Sequence, residues 1–288
     1  MSKIINLLKL KLYLRDFFSI YNHRLSMATW GNPIIVYQMP KTGSASIAAS
    51  LKKIGFHNVF HIHKLDPNDN YPFKYSQKLS ALLNHKVNNT NTKFKVITCV
   101  RDPIARNVSD LFQILKMGQK FHCNGLVYPL TFPSSEKFLK QNMELDEIRE
   151  LFLKNYPYHD LPLSWLDEHI NKNLGIDLFS YNFPKDKGYL RIYKDNIELL
   201  VLKLESSDAI KEEQISEFVG NNRFKLIKTN VTSDDTYDYS RLYNEFKKNL
   251  HIPLDYLEKM YSSKFVNHFY SEQEVEFMRS YWLREKMI

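Results

Sequence analysis

The chain has 288 residues, of which 43% are hydrophobic and 25% charged, and it contains only 8 glycines and 11 prolines. These proportions are typical of a globular protein, allow one large α/β domain, and exclude fibrous and low-complexity chains. The formal net charge of +8 favours anionic partners, but the sequence has no dense Lys/Arg block and no finger or basic-zipper pattern, which argues against nucleic acid.

Residues 1–25 are predicted to form a basic, amphipathic helix in which Lys9 and Lys11 interrupt an apolar run. The segment is too short and too charged to cross a bilayer. It can pack on the domain or on a partner, which we favour, or rest on a membrane surface.

Strands and helices alternate along the rest of the chain. Apolar runs bounded by turn residues predict strands at 33–39, 58–63, 94–100, 188–193 and 199–204, the last two as a hairpin. Apolar residues at helical spacing predict helices at 46–54, 75–86, 104–116, 135–153 and 163–174. This alternation predicts an α/β fold with helices on both faces of a central, mainly parallel sheet. We expect a single domain over residues 1–288, with its core at 33–283.

Two cysteines, Cys99 and Cys123, are widely separated in the sequence. Cys99 lies in an apolar run, which predicts a buried thiol. Because two separate cysteines form neither a disulfide framework nor a zinc site, we expect a reducing, cytoplasmic environment and no bound metal.

A candidate phosphate-binding loop follows the first predicted strand. Residues 40–46 read Pro-Lys-Thr-Gly-Ser-Ala-Ser and lead directly into a helix. Backbone N–H groups at such a turn point at a bound anion, and the helix dipole adds favourable charge. Gly43 allows close backbone approach, while Lys41 brings a positive charge. Because Lys41 precedes the glycine, the magnesium-binding pattern GxxxxGK[ST] of nucleotide P-loops is absent; an ordinary turn after a strand is the simpler alternative.

An arginine ends the third predicted strand. Residues 100–112 read Val-Arg-Asp-Pro-Ile-Ala-Arg-Asn-Val-Ser-Asp-Leu-Phe, so Arg101 lies at the strand end where open α/β sheets bind ligands. Its planar guanidinium suits a phosphate, and Ser109 offers a hydroxyl about two helical turns later. Taken singly, Arg101 is compatible with a surface ion pair and Ser109 with an ordinary helical residue. Their order after the loop favours a phosphate site.

Both segments carry a family resemblance. The loop resembles the 5′-phosphosulfate loop of sulfotransferases that use 3′-phosphoadenosine 5′-phosphosulfate (PAPS), and the arginine segment resembles their 3′-phosphate segment. Later segments resemble a sulfotransferase-like bacterial family of capsular polysaccharide synthesis proteins, over roughly residues 33–283. These segments are 165–167, 175–177, 183–189, 202–205 and 259–270. One departure is the absence of an expected Trp after Asn230, at 233–237.

The resemblance implies a three-layer, P-loop-like fold and a metal-independent transfer of a sulfuryl group from PAPS to an acceptor hydroxyl. The product of the donor is 3′-phosphoadenosine 5′-phosphate (PAP), and the implied acceptor is a carbohydrate of a capsule or exopolysaccharide. Aromatic residues at 120–165 either stack on sugar rings or belong to the core. The implied PAPS-binding residues are Lys41, Thr42, Gly43, Ser44, Ala45, Ser46, Arg101 and Ser109.

Three side chains are candidates for the base that deprotonates the acceptor, while Lys41 would stabilise the leaving phosphate. His61 and His63 point to the same face of a strand, and His63 lies nearer the carboxyl end, so we prefer His63 and let His61 orient it or bind the acceptor. Each histidine is alternatively a hydrogen-bonded core residue. Glu205, at another strand end, is either a base or a cap or ion-pair partner.

Three other functions remain open from the sequence. One is a small-molecule or sugar kinase of the P-loop type, and another is a non-catalytic nucleotide-binding protein of a polysaccharide pathway. The third is a peripheral membrane adaptor that uses the basic N-terminal helix, a role that can coexist with catalysis. A late lid on the 3′-phosphate formed by Lys225, Lys228 and Asn230 is also open, although a solvated face is favoured there.

Overall fold

Five strands form one sheet in the computed structural model, which describes residues 32–65, 93–117, 143–227 and 237–283. Strands β2, β1, β3 and β5 run parallel, and β4 pairs antiparallel with β5. The strand predictions, the hairpin and the mainly parallel sheet are therefore confirmed. The strands are β1 (Ile34–Tyr37), β2 (Val59–Ile62), β3 (Phe94–Val100), β4 (Tyr189–Lys194) and β5 (Ile197–Lys203), in the order β2-β1-β3-β5-β4.

Helices fill most of the remaining described chain. None of the helices in the described ranges is both long enough and apolar enough to cross a lipid bilayer. The predicted helices at 1–25 and 75–86 lie outside the described residues, as does Cys123. The helices are α1 (Ser44–Lys53), α2 (Pro103–Met117), α3 (Leu145–Glu150), α4 (Leu161–Trp165), α5 (Lys172–Leu174), α6 (Asp208–Val219), α7 (Tyr237–Asn249), α8 (Leu254–Tyr261), α9 (Lys264–Phe269) and α10 (Glu272–Leu283).

The helix predicted at 135–153 is not continuous, because residues 143–144 are not helical, and its part 135–142 lies outside the described residues. Glu144 has an extended backbone (ψ 151°), and its N–H donates to the carboxylate of Glu147 over 3.1 Å, so that α3 begins at Leu145. This bond belongs to a capping box between Glu144 and Glu147. A capping box marks the start of a helix, and the spacing of apolar residues contains no information about it. The helix then continues as the π-helical turn Leu151–Asn155.

The predicted helix at 163–174 is confirmed with two additions. It begins two residues earlier, with α4 at Leu161–Trp165, and reaches α5 through a second π-helical segment, Leu166–Asn171. A wider turn inside a helix is rare and frequently occurs near functional sites.

The sheet has a hydrophobic cluster on each face, which gives the three predicted layers. Side chains of β1 alternate between them: Ile34 and Val36 pack with α1, whereas Ile35 and Tyr37 pack with α2. The helices that follow β1 and β3 therefore leave the sheet on opposite faces. In open α/β sheets the crevice for a ligand forms at such a reversal, at the carboxyl ends of the two adjacent strands.

Candidate functional site

The carbonyl groups of the loop between β1 and α1 accept hydrogen bonds from protein side chains. Each carbonyl from residue 38 to residue 42 accepts one such hydrogen bond, from elements that include β3, α2 and the end of β2. The donors are His63 Nδ1 to Gln38 O (2.6 Å), Thr42 Oγ1 to Met39 O (2.6 Å), Arg106 Nε to Pro40 O (3.1 Å), Arg101 Nη1 to Lys41 O (2.7 Å) and Gln38 Nε2 to Thr42 O (3.1 Å).

Most N–H groups of the same loop, unlike its carbonyl groups, have no hydrogen-bond partner among the described residues. Lys41 (φ 72°) and Gly43 (φ 86°) both have left-handed backbones, and Thr42 lies between them. Within the described ranges, the N–H groups of residues 42–45 donate no hydrogen bond to a protein acceptor, and the first bond of α1 runs from Ile47 N to Gly43 O. Successive backbone N–H groups in such turns form concave anion-binding sites. The loop can therefore accept a phosphate or sulfate oxygen through its backbone.

The charged and hydroxyl side chains predicted for this site are partly brought together. Arg101 contacts the loop directly through its bond to Lys41 O, and both side chains are half-buried. Ser44 is buried and Ser46 is half-buried at the start of α1. Ser109 is buried in α2, and within the described residues no hydrogen bond links it to the loop.

Behind Arg101 lies a buried carboxyl group, Asp102. Its Oδ1 accepts hydrogen bonds from the N–H of Ile104 (2.9 Å) and the hydroxyl of Tyr261 (3.1 Å), and its Oδ2 accepts one from Trp282 Nε1 (3.2 Å). Burial raises the pKa of Asp102, although these hydrogen bonds oppose the shift. Asp102 thus fixes the start of α2 and ties two late helices to the end of β3.

Glu205 also accepts hydrogen bonds from the protein through both of its carboxylate oxygens. Its Oε1 accepts the N–H of Asp102 (2.8 Å), and its Oε2 accepts the hydroxyl of Tyr270 (3.0 Å). Although the residue as a whole is exposed, the surrounding protein desolvates its carboxyl group and raises the pKa of Glu205, while the charge of Arg101 opposes the shift. Because both oxygens accept from the protein, this geometry favours a structural role for Glu205 over the role of base.

The two candidate histidines lie side by side, with ring centroids 4.8 Å apart in an edge-to-face arrangement. His61 is in β2, and burial together with the charge of Lys52 lowers the pKa of His61 to about 4. Within the described residues, its Nε2 is enclosed without a hydrogen-bond partner. His63 follows the strand end, is buried, and has its Nδ1 on Gln38 O. Since a carbonyl only accepts, Nδ1 carries a proton, and in the neutral form of the ring Nε2 is the nitrogen without one.

The remaining candidates are placed away from this crevice or outside the described residues. Lys225 is exposed and pairs with Glu212 at 2.7 Å, which fits the solvated face rather than a lid. Lys228, Asn230 and the segment 233–236 are not described. The aromatic residues of the described part of 120–165 belong mainly to the core, and three of them are buried: Phe152, Tyr156 and Trp165.

Sequence patterns missed Asp102 and Arg106 as parts of the site. Arg106 is fully buried and holds Pro40 O, a residue 66 positions away. The partners of Asp102, Tyr261 and Trp282, are 159 and 180 positions away. Only the Asp-Pro pair at a strand end signalled Asp102 locally, and no local pattern signals Arg106. In the described ranges, no cluster of three or more His, Cys, Asp or Glu side chains could hold a metal ion.

Comparison with known families gives a match to the later part of the chain. A family model described as "Putative capsular polysaccharide synthesis protein" matches residues 137–271. The match is narrower than the expected 33–283 and covers just under half of the chain. It includes Glu205 and Tyr270 but neither the loop at 40–46 nor Arg101. Searches of curated proteins and of solved structures each found no match.

The loop geometry predicts a steric penalty at Gly43 beyond that of its backbone conformation. A Cβ at Gly43 would lie 2.9 Å from Leu204 Cδ1, whereas a Cβ at Gly55 (φ 98°) would meet nothing within 4 Å. We expect Gly55→Ala to lower the free energy of unfolding by about 1–2 kcal/mol, the usual cost of positive φ. Gly43→Ala should lower it further, as measured by urea denaturation. Equal losses for the two variants would contradict a tight contact between the loop and Leu204.

The environment of His61 predicts acid destabilisation. In the unfolded chain His61 binds a proton near the ordinary histidine pKa of 6.5, but in the folded protein it does so only near pH 4, because burial lowers its pKa. The free energy of unfolding should therefore fall as the pH drops from 6.5 towards 4, by about 1.4 kcal/mol per pH unit from this residue. Urea denaturation across this range should show a shallower slope for His61→Leu.

The matched control for that slope is His57→Gln, which removes an exposed histidine from the turn before β2. Burial also lowers the pKa values of His159 and His268, so part of the slope should persist in His61→Leu. If the two variants lose stability equally steeply, His61 does not carry the predicted effect.

Proposed function

We propose that this chain is a sulfotransferase that moves a sulfuryl group from PAPS to a hydroxyl of a carbohydrate acceptor. The observation that carries the proposal is the loop at 38–46, whose carbonyl groups bind protein side chains while the N–H groups of 42–45 have no protein acceptor in the described ranges. This loop lies beside Arg101 at the reversal between β1 and β3.

The donor would be bound at two points. The N–H groups of 42–45 and Lys41 would hold the 5′-phosphosulfate, with hydroxyl groups of Ser44 and Ser46 nearby. Arg101 would bind the 3′-phosphate, since a guanidinium has five N–H donors and the bond to Lys41 O uses one of them. Ser109, in the helix that follows Arg101, would add a hydroxyl. None of these groups requires a metal ion.

The chemistry would be an in-line displacement at sulfur. A bond forms between the acceptor oxygen and sulfur, and the bond between sulfur and the bridging phosphate oxygen breaks, so that negative charge develops on PAP. Lys41 would stabilise this charge, since positioned cations act where charge develops in the transition state. The acceptor proton would pass to Nε2 of His63, whose tautomer is fixed by Gln38 O.

His63 is a better candidate base than its two alternatives. His61, with a pKa of about 4, is a weak base at neutral pH. Glu205 already accepts hydrogen bonds from Asp102 N–H and Tyr270. The carbohydrate acceptor is supported by the family match over 137–271, whose description names capsular polysaccharide synthesis.

The donor assignment is tested by titrating the protein with PAP in a calorimeter, without metal, beside ATP with magnesium. We expect PAP to bind more tightly than ATP with magnesium. Lys41→Ala should weaken PAP binding by about tenfold or more, the usual effect of losing a hydrogen bond to a charged group. Lys53→Ala, which removes an exposed lysine at the far end of α1, is the matched control and should bind PAP like the parent.

A preference for ATP with magnesium would replace this proposal with a kinase. Binding of neither nucleotide would leave a non-catalytic role in polysaccharide synthesis.

The assignment of the base predicts a split between binding and turnover. His63→Asn should bind PAP as the parent does but lose transfer of labelled sulfate from PAPS to capsular oligosaccharides by about 10²–10⁴-fold, the usual contribution of a general base. His61→Asn should keep most of the transfer activity. Comparable losses in both variants would assign the base to neither residue alone, and a parent protein that labels no oligosaccharide would contradict the carbohydrate acceptor.

A further inference from the structure

Arg106 is a fully buried cation on α2, with 0% of its surface exposed. Its Nη2 lies 3.3 Å from Asp110 Oδ2, its Nη1 donates to the Tyr156 hydroxyl (2.8 Å), and that hydroxyl donates to Asp110 Oδ2 (2.7 Å). Burying two charges costs about as much as their attraction returns, and apolar replacements of buried ion pairs are often equally stable. Stability of the core alone therefore does not account for this cluster.

Arg106 also donates hydrogen bonds outside this cluster, and one of them runs from Nη1 to Asn107 Oδ1 (3.0 Å). Its Nε donates to Pro40 O, while Arg101 Nη1 donates to the next carbonyl, Lys41 O. These two carbonyls belong to the peptide planes on either side of the Lys41 Cα. Holding both planes fixes the two backbone dihedral angles of Lys41.

Lys41 needs this restraint because its φ of 72° is left-handed. A non-glycine residue in this conformation is strained, and such strain persists only where the surrounding structure imposes it. Without the restraint, Lys41 would relax to a negative φ, and its peptide groups would turn. The N–H groups of 42–45 would then no longer converge on one anion.

We propose that Arg106 is a positioning residue for the phosphate loop. Together with Arg101 it holds Lys41 in the left-handed conformation, so the loop is arranged for an anion before the anion arrives. Preorganisation of this kind increases affinity by removing the cost of ordering the loop on binding. The inference rests on the proposed function only in naming PAP as the anion.

The arrangement also joins the two parts of the chain. Tyr156 ends the π-helical turn Leu151–Asn155 and lies within the residues matched by the family model, whereas the loop does not. Arg106 contacts both, through Tyr156 and Pro40. The Arg106 side chain therefore links the loop to the matched part of the chain.

The test compares Arg106→Lys with Tyr156→Phe by amide hydrogen exchange in the unliganded protein. Arg106→Lys keeps a positive charge beside Asp110 but removes the donor to Pro40 O. Tyr156→Phe removes a hydroxyl from the same cluster and leaves that donor in place. We expect exchange of the Ile47 N–H, whose acceptor Gly43 O belongs to the loop, to accelerate by about tenfold or more in Arg106→Lys, as expected for a lost hydrogen bond from a charged donor, and to stay at the parent rate in Tyr156→Phe.

A second variant covers the case in which Arg106→Lys does not fold. The triple substitution Arg106→Met, Asp110→Leu and Tyr156→Phe replaces these three side chains by apolar groups and removes both charges of the buried pair. We expect it to fold and to show the same fast exchange at the Ile47 N–H. Parent-like exchange in either folded Arg106 variant overturns the proposal, and equal acceleration in Tyr156→Phe overturns it as well.

PAP titration separates this proposal from the proposed function. If the parent binds PAP, the folded Arg106 variants should bind it about tenfold more weakly, matching the loosened loop. If the parent does not bind PAP but the exchange result holds, the donor assignment fails and the positioning role stands. If the Arg106 variants bind PAP as tightly as the parent, the positioning role is overturned.

Discussion

The carboxyl group of Asp102 is the contact on which the site end of the sheet depends. It lies at the end of β3, caps the start of α2 through Ile104 N–H, and accepts hydrogen bonds from Tyr261 in α8 and Trp282 in α10. Its own N–H is held by Glu205, which follows β5. One buried group thus sets the distance between two strand ends and two late helices. A buried carboxyl without these donors would cost several kcal/mol, so the donors and the acceptor stabilise the fold only together.

The loop at 38–46 depends indirectly on that arrangement. Arg101 precedes Asp102 and Arg106 follows it in α2, so the position of both arginines is set by the same strand end and helix start. Their hydrogen bonds to Lys41 O and Pro40 O hold the loop in place relative to this strand end and helix start. Proteins commonly hold anion-binding backbone on rigid elements, because a loop that must order on binding loses affinity.

The sequence predicted what depends on local pattern. Continuous apolar runs gave the strands of the parallel sheet, and the order strand, Pro-Lys-Thr-Gly-Ser, helix gave the loop. Contacts between residues far apart in the chain could not be predicted from these local patterns. Arg106 looked like any helical arginine, because its partners Pro40 and Tyr156 are 66 and 50 positions away. Glu205 was open as a base until Asp102 N–H and Tyr270 were found to occupy its oxygens.

The turn between β4 and β5 lies at the opposite end of the sheet from the loop at 38–46. Asp195 takes its left-handed position there (φ 52°), and Phe94 N–H at the start of β3 donates to Asn196 O. The seven residues of β5 separate this turn from Leu204, which touches Gly43; at strand spacing that is about 23 Å. A fluorophore or an affinity tag attached to the exposed side chain of Asp195 would therefore lie well away from the crevice.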